Sequence, residues 1–186
     1  MNGTFHAGAV CLETKRLILR PWRETDLQDF YAYAQVDGVG QMAGWTPHKS
    51  VEESRRILEL FIAEDKTLAL EEKSTGKVIG SLGLEFLSGL DASFDDLQGR
   101  EIGYVLSKDY WGQGLMPEAV QAVIDYCFNV LSYDFLTCGY FLWNKQSRRV
   151  NEKMGFQFYK EVEHKTRYET VERTNLNILW NPNKTR

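Results

Sequence analysis

The chain has 186 residues, of which 43% are hydrophobic and 26% charged, and its formal net charge is -4. This balance is typical of a globular protein that is large enough to bury a core. The negative charge disfavours broad nucleic-acid binding, which needs a basic face. The three cysteines have no paired spacing and predict neither a disulfide framework nor a zinc site. We therefore expect a reduced, cytoplasmic protein with no metal, no nucleic-acid partner and no membrane segment.

The first half of the chain predicts two helices between strands. Residues 14–20 alternate apolar and polar side chains, as a strand does. Thr25 with Gln28, and Ser50 with Glu53, have the spacing of a capping box, and each pair precedes an amphipathic pattern. The next predicted elements are strands at 67–72 and 77–87 and a polar loop at 88–99.

The second half predicts a β-α-β unit followed by a short helix and a hairpin. Pro117 and Glu118 suit the first turn of a helix that continues to about Leu131. The apolar run at 134–142 is typical of a strand buried on both faces. The remaining predicted elements are strands at 100–106, 156–166 and 171–180 and a helix at 145–154. The order is β-α-α-β-β-β-α-β-α-β-β. We expect one mixed α/β domain over residues 1–186, with 1–12 as an N-terminal extension.

A loop with two glycines, Gly112 and Gly114, separates the strand at 100–106 from the third helix. The start of a helix exposes free backbone N–H groups, and the helix dipole places positive charge there. Such a loop can bind phosphate, although two glycines before a helix are also compatible with a simple turn and cap. The spacing is neither the dinucleotide fingerprint nor a P-loop.

Several spaced motifs resemble those of the GNAT N-acetyltransferases, and in particular the branch that acetylates ribosomal-protein N-termini (RimJ/RimL-like). The motifs occur in the family's order and cover nearly the whole chain. They lie at 13–22, 26–27, 101–104, 110–114, 118–119, 144–147 and 152–156. The resemblance implies the GNAT fold, a central twisted mixed sheet of about six to seven strands flanked by about four helices.

The resemblance also implies acetyl-CoA as co-substrate. In the family, the pantetheine arm lies along a splayed strand and the pyrophosphate binds the amides of the loop that follows. The wider family begins that loop with Gln or Arg and ends it with Gly or Ala, whereas this chain has Trp111 and Met116. The basic side chains at 145–153 are either a solvated face or contacts for the 3′-phosphate. The implied cofactor-binding residues are Val105, Leu106, Trp111, Gly112, Gln113, Gly114, Leu115, Met116, Asn144 and Arg149.

Acetyl transfer needs a neutral amine, a polarised carbonyl group and a proton for the departing thiolate. The predicted base is Glu101, with Glu85 or a water chain as alternatives. The resemblance implies Ser147 as a donor to the thiolate and places Asn144 beside the thioester arm. Many GNAT enzymes carry a general-acid Tyr where this chain has Asn151, so the acid is Ser147 or solvent.

The acceptor is expected to be the primary amine of a protein N-terminus or of a small molecule. The family lines its acceptor cleft with the loop that here contains Trp45, Pro47 and His48. Two other interpretations stay open at this stage: a non-catalytic acyl-CoA-binding module and a nucleotide-binding protein unrelated to CoA. We expect a monomer or a homodimer.

Overall fold

The computed structural model describes residues 1–184 and contains, within them, one eight-stranded mixed sheet and four α-helices. The strands are β1 (Leu12–Glu13), β2 (Leu17–Pro21), β3 (Thr67–Glu72), β4 (Val78–Glu85), β5 (Gly99–Leu106), β6 (Phe135–Phe141), β7 (Gln157–Lys165) and β8 (Val171–Trp180). The helices are α1 (Leu27–Ala34), α2 (Val51–Glu64), α3 (Leu115–Asn129) and α4 (Lys145–Lys153).

The sheet has the strand order β1-β2-β3-β4-β5-β6-β8-β7. All neighbouring strands are antiparallel except β5 and β6, which are parallel because α3 forms the crossover between them. The β5–β6 pairing lasts for only three residues, Gly99, Arg100 and Glu101, opposite Phe135 to Thr137. Beyond Glu101 the two strands part and leave a gap in the middle of the sheet.

The two faces of the sheet bury separate hydrophobic clusters. Alternation along a strand sends Leu68 and Leu70 to the α3 face and Ala69 to the opposite face. On the α3 face, the helix buries a continuous apolar stripe against β2 to β6. On the other face, α1 and α2 pack around Trp22 and Phe30. The gap in the sheet therefore lies between these two hydrophobic clusters.

Most predicted elements are confirmed to within two or three residues, but the strand count of six to seven is wrong. The additional strand, β1, is only two residues long and pairs with β2. The N-terminal segment packs onto the core, with Phe5 and Val10 buried. Helix α3 begins at Leu115, so Pro117 and Glu118 lie in its first turn as predicted. No helix within residues 1–184 is long and apolar enough to span a membrane.

One of the two predicted helix caps is confirmed. Ser50 caps α2 and accepts a hydrogen bond of 3.2 Å from the Glu53 amide. The cap predicted at Thr25 is wrong, because residues 24–26 form a 3-10 turn closed by Asp26. The Asp26 carboxylate accepts from the Arg23 amide at 2.8 Å and from both terminal nitrogens of the buried Arg20 guanidinium, also at 2.8 Å. Paired charges thus hold the entry to α1, which the capping pattern alone did not reveal.

Candidate active site

The gap between β5 and β6 exposes backbone groups of β5. The Ser107 amide donates to Ile79 of β4 at 2.7 Å, and hydrogen-bonding direction alternates along a strand. The N–H and C=O groups of Tyr104 and Leu106 therefore point into the gap. One of them is already satisfied, since the Leu106 carbonyl accepts from the Trp111 indole at 2.8 Å. A cavity of about 460 Å³ fills this gap.

The glycine loop lies at one end of the cavity. Gly112 and Gly114 both have φ of 74°, a left-handed conformation that favours glycine. The first helical hydrogen bond of α3 runs from the Glu118 amide to the Gly114 carbonyl, at 3.3 Å. Within residues 1–184, no protein acceptor bonds the amides of residues 112–116. These free N–H groups and the helix dipole form a phosphate-binding geometry.

An ion pair that the sequence did not predict holds this loop in place. Arg16, just before β2, donates to Glu118 in the first turn of α3 through its Nε atom at 2.7 Å. Its Nη1 atom donates to the Gln113 carbonyl at 2.9 Å. The other Glu118 oxygen accepts from the Thr14 hydroxyl and from the Arg16 amide, at 2.6 and 2.8 Å. The contacts join residues about a hundred positions apart, so no local pattern could have revealed them.

Nearly all of the predicted cofactor-binding residues line the cavity. Gln113 is the exception, because its side chain turns away and donates to the Asp109 carbonyl at 3.0 Å. Of the basic residues on α4, Arg149 lines the cavity, whereas Arg148 pairs with Glu152 on the surface. The predicted residues that line it are Val105, Leu106, Trp111, Gly112, Gly114, Leu115, Met116, Asn144 and Arg149.

The two candidate bases lie side by side but in different surroundings. Glu85 and Glu101 are direct partners in the β4–β5 register. Glu85 pairs with Lys66 at 2.6 Å and does not line the main cavity, whereas Glu101 does. Burial raises the pKa of the Glu101 carboxyl to about 7. A long hydrogen bond of 3.4 Å from Ser88 opposes this rise in pKa, and the Glu85 charge adds to it.

On the opposite face of β5, a hydroxyl pair connects that strand to α4. Asn144 caps α4, and its side chain accepts from the Ser147 amide at 3.0 Å and donates to the Met42 carbonyl at 3.1 Å. Ser147 lines the cavity, and its hydroxyl lies 2.8 Å from that of Tyr104. Burial holds the pKa of Tyr104 well above its usual range, so this phenol is a hydrogen-bond donor at neutral pH.

Tyr104 is a site residue that the sequence analysis did not select. Alternation along β5 places Tyr104 on the face opposite Glu101. This pattern is visible in the sequence and could have identified Tyr104 as a site residue. The residue at the family's tyrosine position, Asn151, does not line the cavity. It is buried and donates to the Cys138 sulfur at 3.3 Å and to the Ser147 carbonyl at 3.1 Å.

A second cavity of about 250 Å³ lies on the α1 and α2 side of β5. It shares Gly103 and Val105 with the main cavity, so the two are adjacent. Trp45 and His48 of the predicted acceptor loop line it, with ring centroids 5.0 Å apart. His48 is buried and lies 2.7 Å from the Ser54 hydroxyl, and burial lowers its pKa. Pro47 lines neither cavity.

This arrangement provides a phosphate-binding loop, a strand edge with free backbone groups, a half-buried carboxylate and a hydroxyl pair around one gap. The family comparison agrees with it: the model of the "Acetyltransferase (GNAT) domain" matches residues 16–157. The chain belongs to the GNAT acetyltransferase family and is an acyl-CoA-dependent acyltransferase. Within residues 1–184, no group of three or more His, Cys, Asp or Glu side chains is placed to hold a metal ion.

Individual relatives share sequence similarity or the fold with this chain. The chain is 29% identical over 151 residues to the uncharacterized N-acetyltransferase YoaA of Bacillus subtilis. The matched region covers 78% of this chain and 82% of that protein. A GNAT-family acetyltransferase from Bacillus anthracis shares the fold with a TM-score of 0.78 at 17% identity, over 92% of this chain and 99% of that chain. Mycobacterium smegmatis RimJ, solved in complex with CoA-disulfide, gives a TM-score of 0.73 at 17% identity, over 95% and 90% of the two chains.

The raised pKa of Glu101 predicts a pH-dependent effect of Glu101→Gln on stability. A carboxyl with a pKa of about 7 in the folded state and 4.5 in the unfolded state destabilises the fold as pH rises between these values. The penalty is absent below pH 4.5 and complete above pH 7. Glu101→Gln removes it, so the Tm of this variant relative to wild type should be higher at pH 8 than at pH 5.

Thermal unfolding at the two pH values measures this difference. Glu163→Gln, which changes an exposed carboxylate on β7, is the control for a general charge effect. An identical Tm difference for Glu101→Gln at pH 5 and pH 8 would contradict the titration assigned to Glu101.

Proposed function

We propose that this chain transfers the acetyl group of acetyl-CoA to a primary amine, on a protein N-terminus or on a small molecule. The observation that carries the proposal is the row of free amides at residues 112–116, which opens directly into the gap between β5 and β6. Family membership supplies the reaction class, and the site residues named below are our assignments.

The free amides of the loop hold the pyrophosphate of acetyl-CoA. The backbone groups of Tyr104 and Leu106 that face the gap bond the pantetheine arm, as one strand bonds the next. A backbone N–H at this edge is also placed to stabilise the negative charge that develops on the thioester oxygen. Arg149, at the cavity margin on α4, is the cation available to the 3′-phosphate.

Glu101 is the base. An incoming ammonium group has no lone pair, so one proton must leave before its nitrogen can attack the acetyl carbon. A carboxylate with a pKa near 7 is well matched to this task at neutral pH. Glu85 forms an ion pair with Lys66, which makes it the weaker candidate for the base.

Ser147 donates the proton that the departing sulfur needs. As the nitrogen–carbon bond forms and the carbon–sulfur bond breaks, the electron pair stays on sulfur and the Ser147 hydroxyl passes its proton to it. The nitrogen releases its second proton in the same step, and that proton returns through water to the Ser147 oxygen. The Tyr104 and Ser147 hydroxyl oxygens lie 2.8 Å apart. We assign the phenol as the donor of this pair, which directs the Ser147 proton towards the cavity. Asn144 positions this pair, because it caps the helix on which Ser147 lies.

A protein N-terminus is the acceptor that the branch resemblance favours. We place the enzyme in the cytoplasm, as a single domain that acts as a monomer or homodimer without a metal, a nucleic acid or a membrane. The free thiols of Cys127 and Cys138 are buried in the core, in keeping with a reducing compartment.

Calorimetry with CoA and an assay of thiol release from acetyl-CoA over a panel of primary amines test the proposal. CoA should bind, and at least one amine should raise thiol release above the hydrolytic background. CoA binding with no amine-dependent release would instead favour a non-catalytic acyl-CoA-binding module. Absence of any heat with CoA, or stronger thermal stabilisation by ATP or NAD, would overturn the assignment.

Arg16→Met tests the loop that carries the proposal. Without the contact to the Gln113 carbonyl and the pair with Glu118, the amides lose their fixed orientation, and the Kd for CoA should rise about tenfold. Lys15→Met is the matched control, because it removes the same charge from the adjacent exposed position. Equal Kd values for the two variants would show that the clamp does not position the loop.

Ser147→Ala should lower kcat about 100-fold and leave the KM for acetyl-CoA nearly unchanged, because only the proton donor is lost. Tyr104→Phe should lower kcat about tenfold, since Ser147 then lacks its orienting partner. Steady-state kinetics measure both effects, with Tyr159→Phe on β7 as a control distant from the cavity. An unchanged kcat in Ser147→Ala would leave solvent as the acid.

A further inference from the structure

A buried polar cluster lies behind the hydroxyl pair of Tyr104 and Ser147. It consists of Asn151 on α4, Cys138 on β6 and Asn177 on β8, which are exposed to 2%, 1% and 4%. These three side chains do not line the main cavity, so they do not reach a substrate bound there. Any effect that they have on the reaction must therefore pass through the hydroxyl pair.

Backbone carbonyls, which can only accept hydrogen bonds, fix the orientation of both amides in the cluster. The Asn177 amide nitrogen donates to the carbonyl oxygens of Cys138 and Asn175, both at 3.3 Å. The same nitrogen lies 3.2 Å from Asn151, which must therefore present its oxygen to it. The Asn151 nitrogen is then turned the other way, and it donates to the Ser147 carbonyl at 3.1 Å and to the Cys138 sulfur at 3.3 Å.

The two atoms to which Asn151 donates are also acceptors within reach of the Tyr104 phenol. The Ser147 carbonyl lies 3.4 Å from the phenol oxygen, but it lies within α4, where helical bonding uses one of its lone pairs and Asn151 takes the other. Burial raises the pKa of the Cys138 thiol to about 12, and hydrogen bonds with Asn151 and Tyr104 oppose this rise. The sulfur is a weak acceptor that already receives the Asn151 N–H group.

We propose that Asn151 is a positioning residue that sets the direction of the hydrogen bond between Tyr104 and Ser147. This inference rests on the proposed function and adds to it the residue that orients the proton donor. Because Asn151 occupies the two competing acceptors, the phenol proton is left with the Ser147 hydroxyl oxygen, at 2.8 Å. The Ser147 proton then points into the cavity, where the departing sulfur needs it. In the opposite arrangement Ser147 donates to the phenol, and its proton is turned away from the sulfur.

Asn151→Leu tests the inference, because leucine has a similar size and lacks the N–H group. The Ser147 carbonyl and the Cys138 sulfur each lose one donor in this variant, so the phenol can turn its proton towards them. The kcat should fall about tenfold, as it should in Tyr104→Phe, while the KM for acetyl-CoA stays unchanged. Steady-state kinetics measure both quantities, and an unchanged kcat would overturn the inference.

A double-mutant cycle distinguishes this role from simple support of α4. If Asn151 acts through the phenol, adding Tyr104→Phe to Asn151→Leu should lower kcat no further, so that the double variant stays about tenfold below wild type. If Asn151 only supports the helix, Tyr104→Phe should keep its own effect in this background. A combined loss of about 100-fold would therefore overturn the inference.

Asn181→Leu is the matched control for the loss of a buried amide. Asn181 is 4% exposed, follows β8, and donates to the carbonyls of Phe128 and Tyr133 at 3.4 and 2.8 Å. It lines neither cavity. Its substitution should lower the Tm and leave kcat intact. A fall in kcat equal to that of Asn151→Leu would assign both effects to a general loosening of the fold and overturn the inference.

Neutron diffraction from deuterated crystals of the wild-type protein separates this inference from the proposed function, because it needs neither turnover nor a variant that folds. The phenol deuterium should point to the Ser147 hydroxyl oxygen, and the two Asn151 amide deuterium atoms should face Ser147 and Cys138. This result supports the inference about direction even if every amine fails to release thiol, an outcome that would sink only the proposed function. A Ser147 deuterium that points to the phenol, or an Asn151 amide turned the other way round, would overturn the inference.

Discussion

An inner strand of a sheet normally satisfies its backbone groups on both sides, and β5 does so only as far as Glu101. Beyond that residue, its inner edge faces a cavity instead of β6. The Trp111 indole satisfies one carbonyl there, that of Leu106, and so joins the strand to the loop that follows it. The parting of the strands thus creates the cavity, exposes groups that can bond an extended ligand, and brings the free amides before α3 to the same place.

Local sequence patterns predicted the features that depend on neighbouring residues. The Ser50 cap, the apolar run of β6 and the glycine loop before α3 are of this kind, because each is set within a few positions. Features that depend on distant pairing were not predictable. Strand β1 is two residues long and exists only through its contact with β2. The bond of Arg16 to Glu118 spans 102 positions.

The sequence also could not rank Glu85 against Glu101, since both are glutamates on adjacent strands. The structure distinguishes them through a third residue. Lys66 lies 2.6 Å from Glu85 and compensates its charge, whereas the hydrogen bond that Glu101 accepts from Ser88 is long, at 3.4 Å. Burial then raises the pKa of the less compensated carboxyl. Lys66 thereby distinguishes the surroundings of the two carboxylates, and the one whose pKa is raised by burial is the one that faces the gap.

Asn151 bears on which group acts as the proton donor to the departing sulfur. The family resemblance implies a general-acid tyrosine at this position, and the asparagine found there suggests at first that the chain lacks a proton donor. The Asn151 amide is instead enclosed by Cys138, the Ser147 carbonyl and Asn177, and so supports α4 from behind. A phenol is still present beside the cavity, but it comes from β5 as Tyr104 and acts on the Ser147 hydroxyl. Because β5 also supplies Glu101 on its other face, one strand places the proposed base and the partner of the proposed acid on opposite sides of the same gap.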